Sequence, residues 1–337
     1  MKKTIIASAI AAVVAAPAAF AEVKISGNVN MELLDQDATT GWDNSTNTDL
    51  VFSGSEDLGN GMKAGFKYHV FHDDGGAVCT DTTAATPAVA AQTAAGTVAA
   101  QTAASAASAT SSTCAADKVA DLTVSLSGDF GKINAGRQEN FNMAFFHGFA
   151  AGDAAHDITL EDGNGQQSRM NSVEYTSPNM NGITIGLEAG IDAGMANSGT
   201  DTDNMDMTDV MVKYSNGPLT VAAGKTTHKG GTAADEEVTN IAASYKMGDL
   251  KLAVLDRDVD NSDAGTANNE MTTFSATYSM GANTLYVGVT DSDDAQDGDY
   301  VVSLKHSLSK RTSVYVVAKN DDSDNNTDTL VGIKHSF

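Results

Sequence analysis

The sequence predicts an all-β fold: a 16-stranded antiparallel transmembrane β-barrel. Three observations carry this. Apolar and polar residues alternate with period two in 16 separate segments, which gives each strand one apolar and one polar face. The segments are joined alternately by short turns and long polar loops, and their number is even, as in bacterial barrels. No run of 18 apolar residues follows Ala21, so any membrane crossing is made by strands.

The first element is an address. Met1-Lys2-Lys3 is a positive start, Thr4 to Phe20 an apolar Ala-rich stretch, and Ala19-Phe20-Ala21 a small-x-small cleavage site. Residues 1–21 therefore read as a signal peptide and 22–337 as the barrel. The strands follow in order. In 22–35, Val23, Ile25, Val29, Met31 and Leu33 share one parity, and Lys24, Ser26, Asn28, Asn30 and Glu32 the other. After 48–57, segment 61–72 sets Met62, Ala64, Phe66, Tyr68 and Val70 against Lys63, Lys67 and His69. The pattern continues through 118–128, 131–138, 169–178, 182–191, 207–216, 218–227, 236–247 and 249–259. It closes with 269–280, 283–292, 298–308, 311–320 and 328–337. Gly59-Asn60-Gly61, Asn216-Gly217, Gly248-Asp249 and Gly281-Ala282 mark tight turns. Residues 192–206, 228–235, 260–268 and 320–328 are the long polar loops.

Composition excludes several functions. Lys+Arg total 20 against Asp+Glu 44, a net charge of −24, which leaves no basic surface for nucleic acid. Hydrophobic residues make up 41%, too many for a disordered chain. His-Glu-x-x-His, P-loop and Gly-x-Ser-x-Gly motifs are missing from the sequence, so no enzyme is expected, and no cofactor. Acid-rich stretches Asp201–Asp209, Asp291–Asp299 and Asp321–Asp328 lack EF-hand spacing and read as solvated loops; no metal site is expected. Residues 77–117 form a low-complexity Ala/Thr/Ser insertion bounded by Cys79 and Cys114, which pair as a disulfide in an oxidising compartment.

Several stretches, in order along the chain, resemble the Gram-negative general diffusion porin family. They are Gly54-Ser55-Glu56-Asp57-Leu58-Gly59-Asn60-Gly61, Ala135-Gly136-Arg137-Gln138, Arg169 to Pro178, Leu308 to Tyr315, and the closing Val331 to Phe337. The resemblance implies an outer-membrane homotrimer with a water-filled pore for ions and small hydrophilic solutes, narrowed by the third loop, roughly Gln138–Ser168. That loop carries Asp153, Asp157, Glu161 and Asp162 as candidate constriction residues. Fixed charge in a narrow pore sets ion preference. Arg137 and Arg169 match the family's basic wall cluster, although strict alternation sets Arg137 with Ile133 and Ala135; a bulge at Gly136 would turn it inward. Asn28 and Asp49 stand where the family often carries basic residues, and Lys67 joins them on the wall. With only four arginines in all, the expectation is a cation preference. Phe337 ends an alternating strand and fits recognition by the barrel assembly machinery. The insertion suggests a second function, a surface-recognition or adhesin barrel working through the Cys-bridged loop, and the outer loops suit contact with lipopolysaccharide.

Overall fold

The structure is a computed structural model that describes residues 22–36, 39–43, 48–72, 118–150, 169–190, 207–229, 235–261, 269–293, 298–321 and 326–337. The first strands are β1 (Glu22–Gln36), β2 (Thr39–Asp43), β3 (Thr48–Gly59), β4 (Met62–His72), β5 (Lys118–Gly128) and β6 (Gly131–Glu139). A single helix, α1 (Phe141–Ala150), follows β6 among the described residues. Then come β7 (Arg169–Thr176), β8 (Ile183–Gly190), β9 (Met207–Asn216), β10 (Leu219–His228), β11 (Glu236–Met247) and β12 (Leu250–Asn261). The last are β13 (Asn269–Met280), β14 (Asn283–Ser292), β15 (Tyr300–Ser307), β16 (Thr312–Asp321) and β17 (Asn326–Ser336).

Neighbours in sequence pair antiparallel except β2 with β3, which both pair with β1, and β1 pairs with β17 to close the sheet. Short Asx- and Gly-bearing turns hold the hairpins; Asn60 (φ 53°) and Asn181 (φ 55°) take the left-handed region that Asn tolerates. β2 and β3 lie on the same side of β1, meeting its two halves in turn. The 17 strands therefore fill 17 − 1 = 16 wall positions, as the alternation predicts. Segment 39–43 is the one strand the alternation does not predict. Closure leaves no open edge, so the ladder satisfies the strand amides that lipid cannot.

Residues directly opposite in a ladder share a face. One face carries Val23, Ile25, Leu122, Val124, Ile241, Phe274 and Val331, all well exposed. The other carries Asn30, Glu32, Asp209, Asn240 and Arg257, all buried. The helix identifies the second face as the interior, because it touches six consecutive strands, β8 to β13, which only the concave side allows. The outward face is the apolar band that lipid requires.

Candidate functional site

The interior is built around α1. Asn140 precedes it, and its carbonyl accepts the Ala144 amide at 3.1 Å. The first amides of a helix lack intrahelical partners. Here the wall supplies them: Glu188 of β8 accepts the Phe141 amide at 2.7 Å, and Asp209 of β9 accepts the Asn142 amide at 2.7 Å. Asp209 also accepts the Asn142 side-chain amide and, at 3.0 Å, the Thr226 hydroxyl. Ser172 donates to the second Glu188 oxygen at 2.5 Å. Two carboxylates at the positive end of the helix dipole are favourable in themselves.

Below this anchor the helix is apolar on several sides, and the wall is cut to receive it. Phe146 and Phe149 pack on Met211, Ala222, Ala242, Ala253 and Leu255. Two glycines complete the seat. A Cβ at Gly186 would collide with the Phe141 ring, and one at Gly224 with the Asn142 amide and the Phe146 ring. At the other end Ser275 donates to the Phe149 carbonyl at 3.0 Å. The seat departs from polar-inside alternation because it is occupied by protein rather than water.

Charge on the inner face is uneven along the pore axis, with Lys67, Arg257 and Lys319 among the acids of one end and Glu22 and Asp57 among the lysines of the other. Glu32, Asp49, Asp121, Glu188, Asp209 and Asp299 stand near the ends that lead to the long connections. Lys63, Lys132, Lys213, Lys246, Lys251 and Lys305 stand near the short turns, which in outer-membrane barrels face the periplasm. Several acids are already satisfied. Asp49 accepts the Asn28 amide (3.2 Å) and side-chain amide (2.9 Å). Lys67 meets Asp121 at 2.6 Å, and the His69 ring lies 3.1 Å from the same oxygen. Lys319 meets Asp299 at 3.6 Å. Asp209 and Asp299 thus belong to the buried wall, not to solvated loops as their acid-rich surroundings suggest.

Asn28, Asp49 and Lys67 lie on the inner face of the wall. Arg137 does not. It sits opposite Leu122 on the outward face, is exposed, and donates to the Val119 carbonyl at 3.1 Å. The ladders on both sides of β6 run without a register shift, so the bulge that would turn Arg137 inward is absent, although Gly136 has φ 133°. Its place at the loop end of β6 explains why it is tolerated: an outward arginine costs ~2–4 kcal/mol at the membrane midplane but ~0–1 near the interface. Arg169 opens β7 opposite Glu139, and its side chain lies outside the described residues. So do Asp153, Asp157, Glu161, Asp162, Cys79, Cys114, the insertion 77–117 and the leader 1–21. Phe337 is described: its amide donates to the Gly27 carbonyl at 3.0 Å and its carbonyl accepts the Gly27 amide at 3.3 Å.

Sequence reasoning misses Glu188, Asp209 and Asn142 as a unit, and Arg257, which is buried and donates to Asn240 at 2.7 Å. One signal is available for the helix seat. In Val221-Ala222-Ala223-Gly224 and Ile241-Ala242-Ala243 both parities are apolar and one is small, which a water-facing wall does not need. The cation preference expected from the scarcity of arginine is not supported. Arginine count does not report the lysines, and six of these face the lumen near the short turns.

Comparison with known proteins agrees with this architecture. The family model for Gram-negative porins matches residues 7–326. Outer membrane porin protein 32 of Delftia acidovorans is 26% identical over 396 residues, covering 100% of both chains. Among solved structures, an anion-selective porin from Comamonas acidovorans is similar with a TM-score of 0.66 and 22% identity, over 94% of this chain and 100% of that one. A loop-deleted form of OmpT, an outer membrane protein of Vibrio cholerae, is similar with a TM-score of 0.66 and 13% identity, over 94% and 99% of the two chains.

Proposed function

Because the chain belongs to the Gram-negative porin family and is an outer-membrane diffusion channel, we propose that its lumen favours small anions, selected in the lysine-lined half beside α1. The carrying observation is the placement of Lys213, Lys246 and Lys251 on the inner wall next to the helix. The Debye length at physiological salt is ~8 Å, so fixed ammonium groups in a passage of similar half-width bias which ions enter. The acids at the other end are largely engaged by Asn28, Lys67, Lys319 and the helix amides, which lowers their hold on passing cations. A structural relative described as anion-selective supports the same direction.

Transport is passive. Solutes move down their gradients, and the protein supplies a polar path with a fixed narrowing. The four constriction acids of the third loop belong to this reading as contributors to the filter, supported by their positions in the family's loop. So do a homotrimeric assembly, contact with lipopolysaccharide, the disulfide between Cys79 and Cys114, and delivery by the barrel assembly machinery through Phe337. Swelling of proteoliposomes in iso-osmotic sugars tests the channel itself. Swelling rates should fall steadily with solute size. Liposomes that swell no faster than protein-free controls would contradict the reading.

A further inference from the structure

The helix leaves a recess of about 460 Å³ beside its C-terminal half, lined among others by Phe145, Phe149, Lys213, Lys246, Lys251 and Ser244. Three properties of this recess are unusual for a water-filled wall. Lys246 and Lys251 are directly opposite in the β11–β12 ladder and share the inner face, an arrangement that like charge makes unfavourable. None of its lining residues is acidic, and among the described residues none of the three lysines has a carboxylate partner. The lysines also stand beside rings: the Lys213 ammonium lies 5.4 Å from the Phe145 ring centroid, and that of Lys251 lies 5.7 Å from the Phe149 centroid. Phe149 is buried, whereas Phe145 remains half-buried and presents its ring to the recess.

A concave site with unneutralised ammonium groups and an available aromatic surface fits one ligand chemistry. We propose that this recess binds aromatic carboxylates in transit, the carboxylate between Lys246 and Lys251 and the ring against Phe145. The anion relieves the repulsion within the lysine pair through charge-assisted hydrogen bonds. The ring contact then separates aromatic acids from plain ones, because offset aromatic pairs gain beyond simple area burial. The proposal rests on the diffusion-channel reading above, since the ligand reaches the recess through the lumen.

The test is the ion current through single channels of the full chain in planar bilayers, titrated with benzoate, acetate and benzyl alcohol. Benzoate should block saturably and at least about fivefold more tightly than acetate, the size of one aromatic contact. Benzyl alcohol, with a ring and no charge, should not block. K246Q/K251Q should weaken benzoate block about tenfold or more, the loss expected for a charge-assisted pair. Phe145→Leu, which keeps the volume nearly unchanged, should remove the advantage of benzoate over acetate while acetate block persists. Equal block by benzoate and acetate, block by benzyl alcohol, or an unchanged benzoate affinity in K246Q/K251Q would overturn the proposal. An open, unblocked channel would sink the recess alone, whereas no current at all would sink the channel reading beneath it.

Discussion

Inside the barrel the Asn142 amide donates to Asp209 at 2.7 Å, and this contact joins the internal helix to its wall. Asp209 is 1% exposed and Asn142 also 1%, so water does not compete for the pair. Glu188 repeats the arrangement one strand away on the Phe141 amide. The helix is thus held at its start by the first amides, which the wall carboxylates accept.

Replacing Asp209 with Ala should therefore loosen α1 without opening the barrel. Leaving the buried amides without an acceptor costs about 1–3 kcal/mol. Amide hydrogen exchange in residues 141–146 should accelerate about tenfold or more, with noisier open-channel current. Unchanged exchange would mean that the apolar seat alone holds the helix.

The glycine seat gives a sharper perturbation. Gly224→Leu places a side chain where Asn142 and Phe146 now lie. The helix must leave its seat, and single-channel conductance should rise together with the size limit in liposome swelling. The outward-facing Ala223→Leu is the matched control and should leave both unchanged.

Closure of the barrel makes a third prediction. Deleting Phe337 removes two backbone hydrogen bonds to Gly27. At about 0.5–1.5 kcal/mol each, the loss should lower the temperature at which the folded band disappears in heat-modifiability gels. It should also reduce the share of protein reaching the outer membrane in cells.

The axial division of charge predicts asymmetric conduction. With acids in the majority towards one mouth and lysines towards the other, current at equal and opposite voltages should differ in dilute salt. The asymmetry should fade at 1 M salt, where the Debye length is ~3 Å. Symmetric current at all concentrations would show that the two sets of charges do not face the permeating ions.

Nearly every strand was legible in the sequence because its two faces meet different solvents, lipid outside and a polar lumen inside, and period-two alternation records that difference. Segment 39–43 escaped because Thr39-Thr40-Gly41-Trp42-Asp43 is too short to show the period. The site was less legible for a related reason. Where α1 covers the wall, the inner face is neither lipid nor water, and Ala222, Ala242 and Gly224 obey packing rather than alternation. Asp209 fell both in strand 207–216 and in the acid-rich stretch Asp201–Asp209, and alternation alone gives no sign that it anchors a helix. Arg137 followed its parity, opposite Leu122, and not the inward placement that the family likeness implies.

The most direct measurement of the central claim is the reversal potential of the reconstituted channel in a KCl gradient, alone and with Lys213, Lys246 and Lys251 replaced by Gln. The wall described here predicts chloride preference in the native protein and a shift towards potassium in the triple variant. Potassium preference in the native channel, unmoved by the three substitutions, would contradict it.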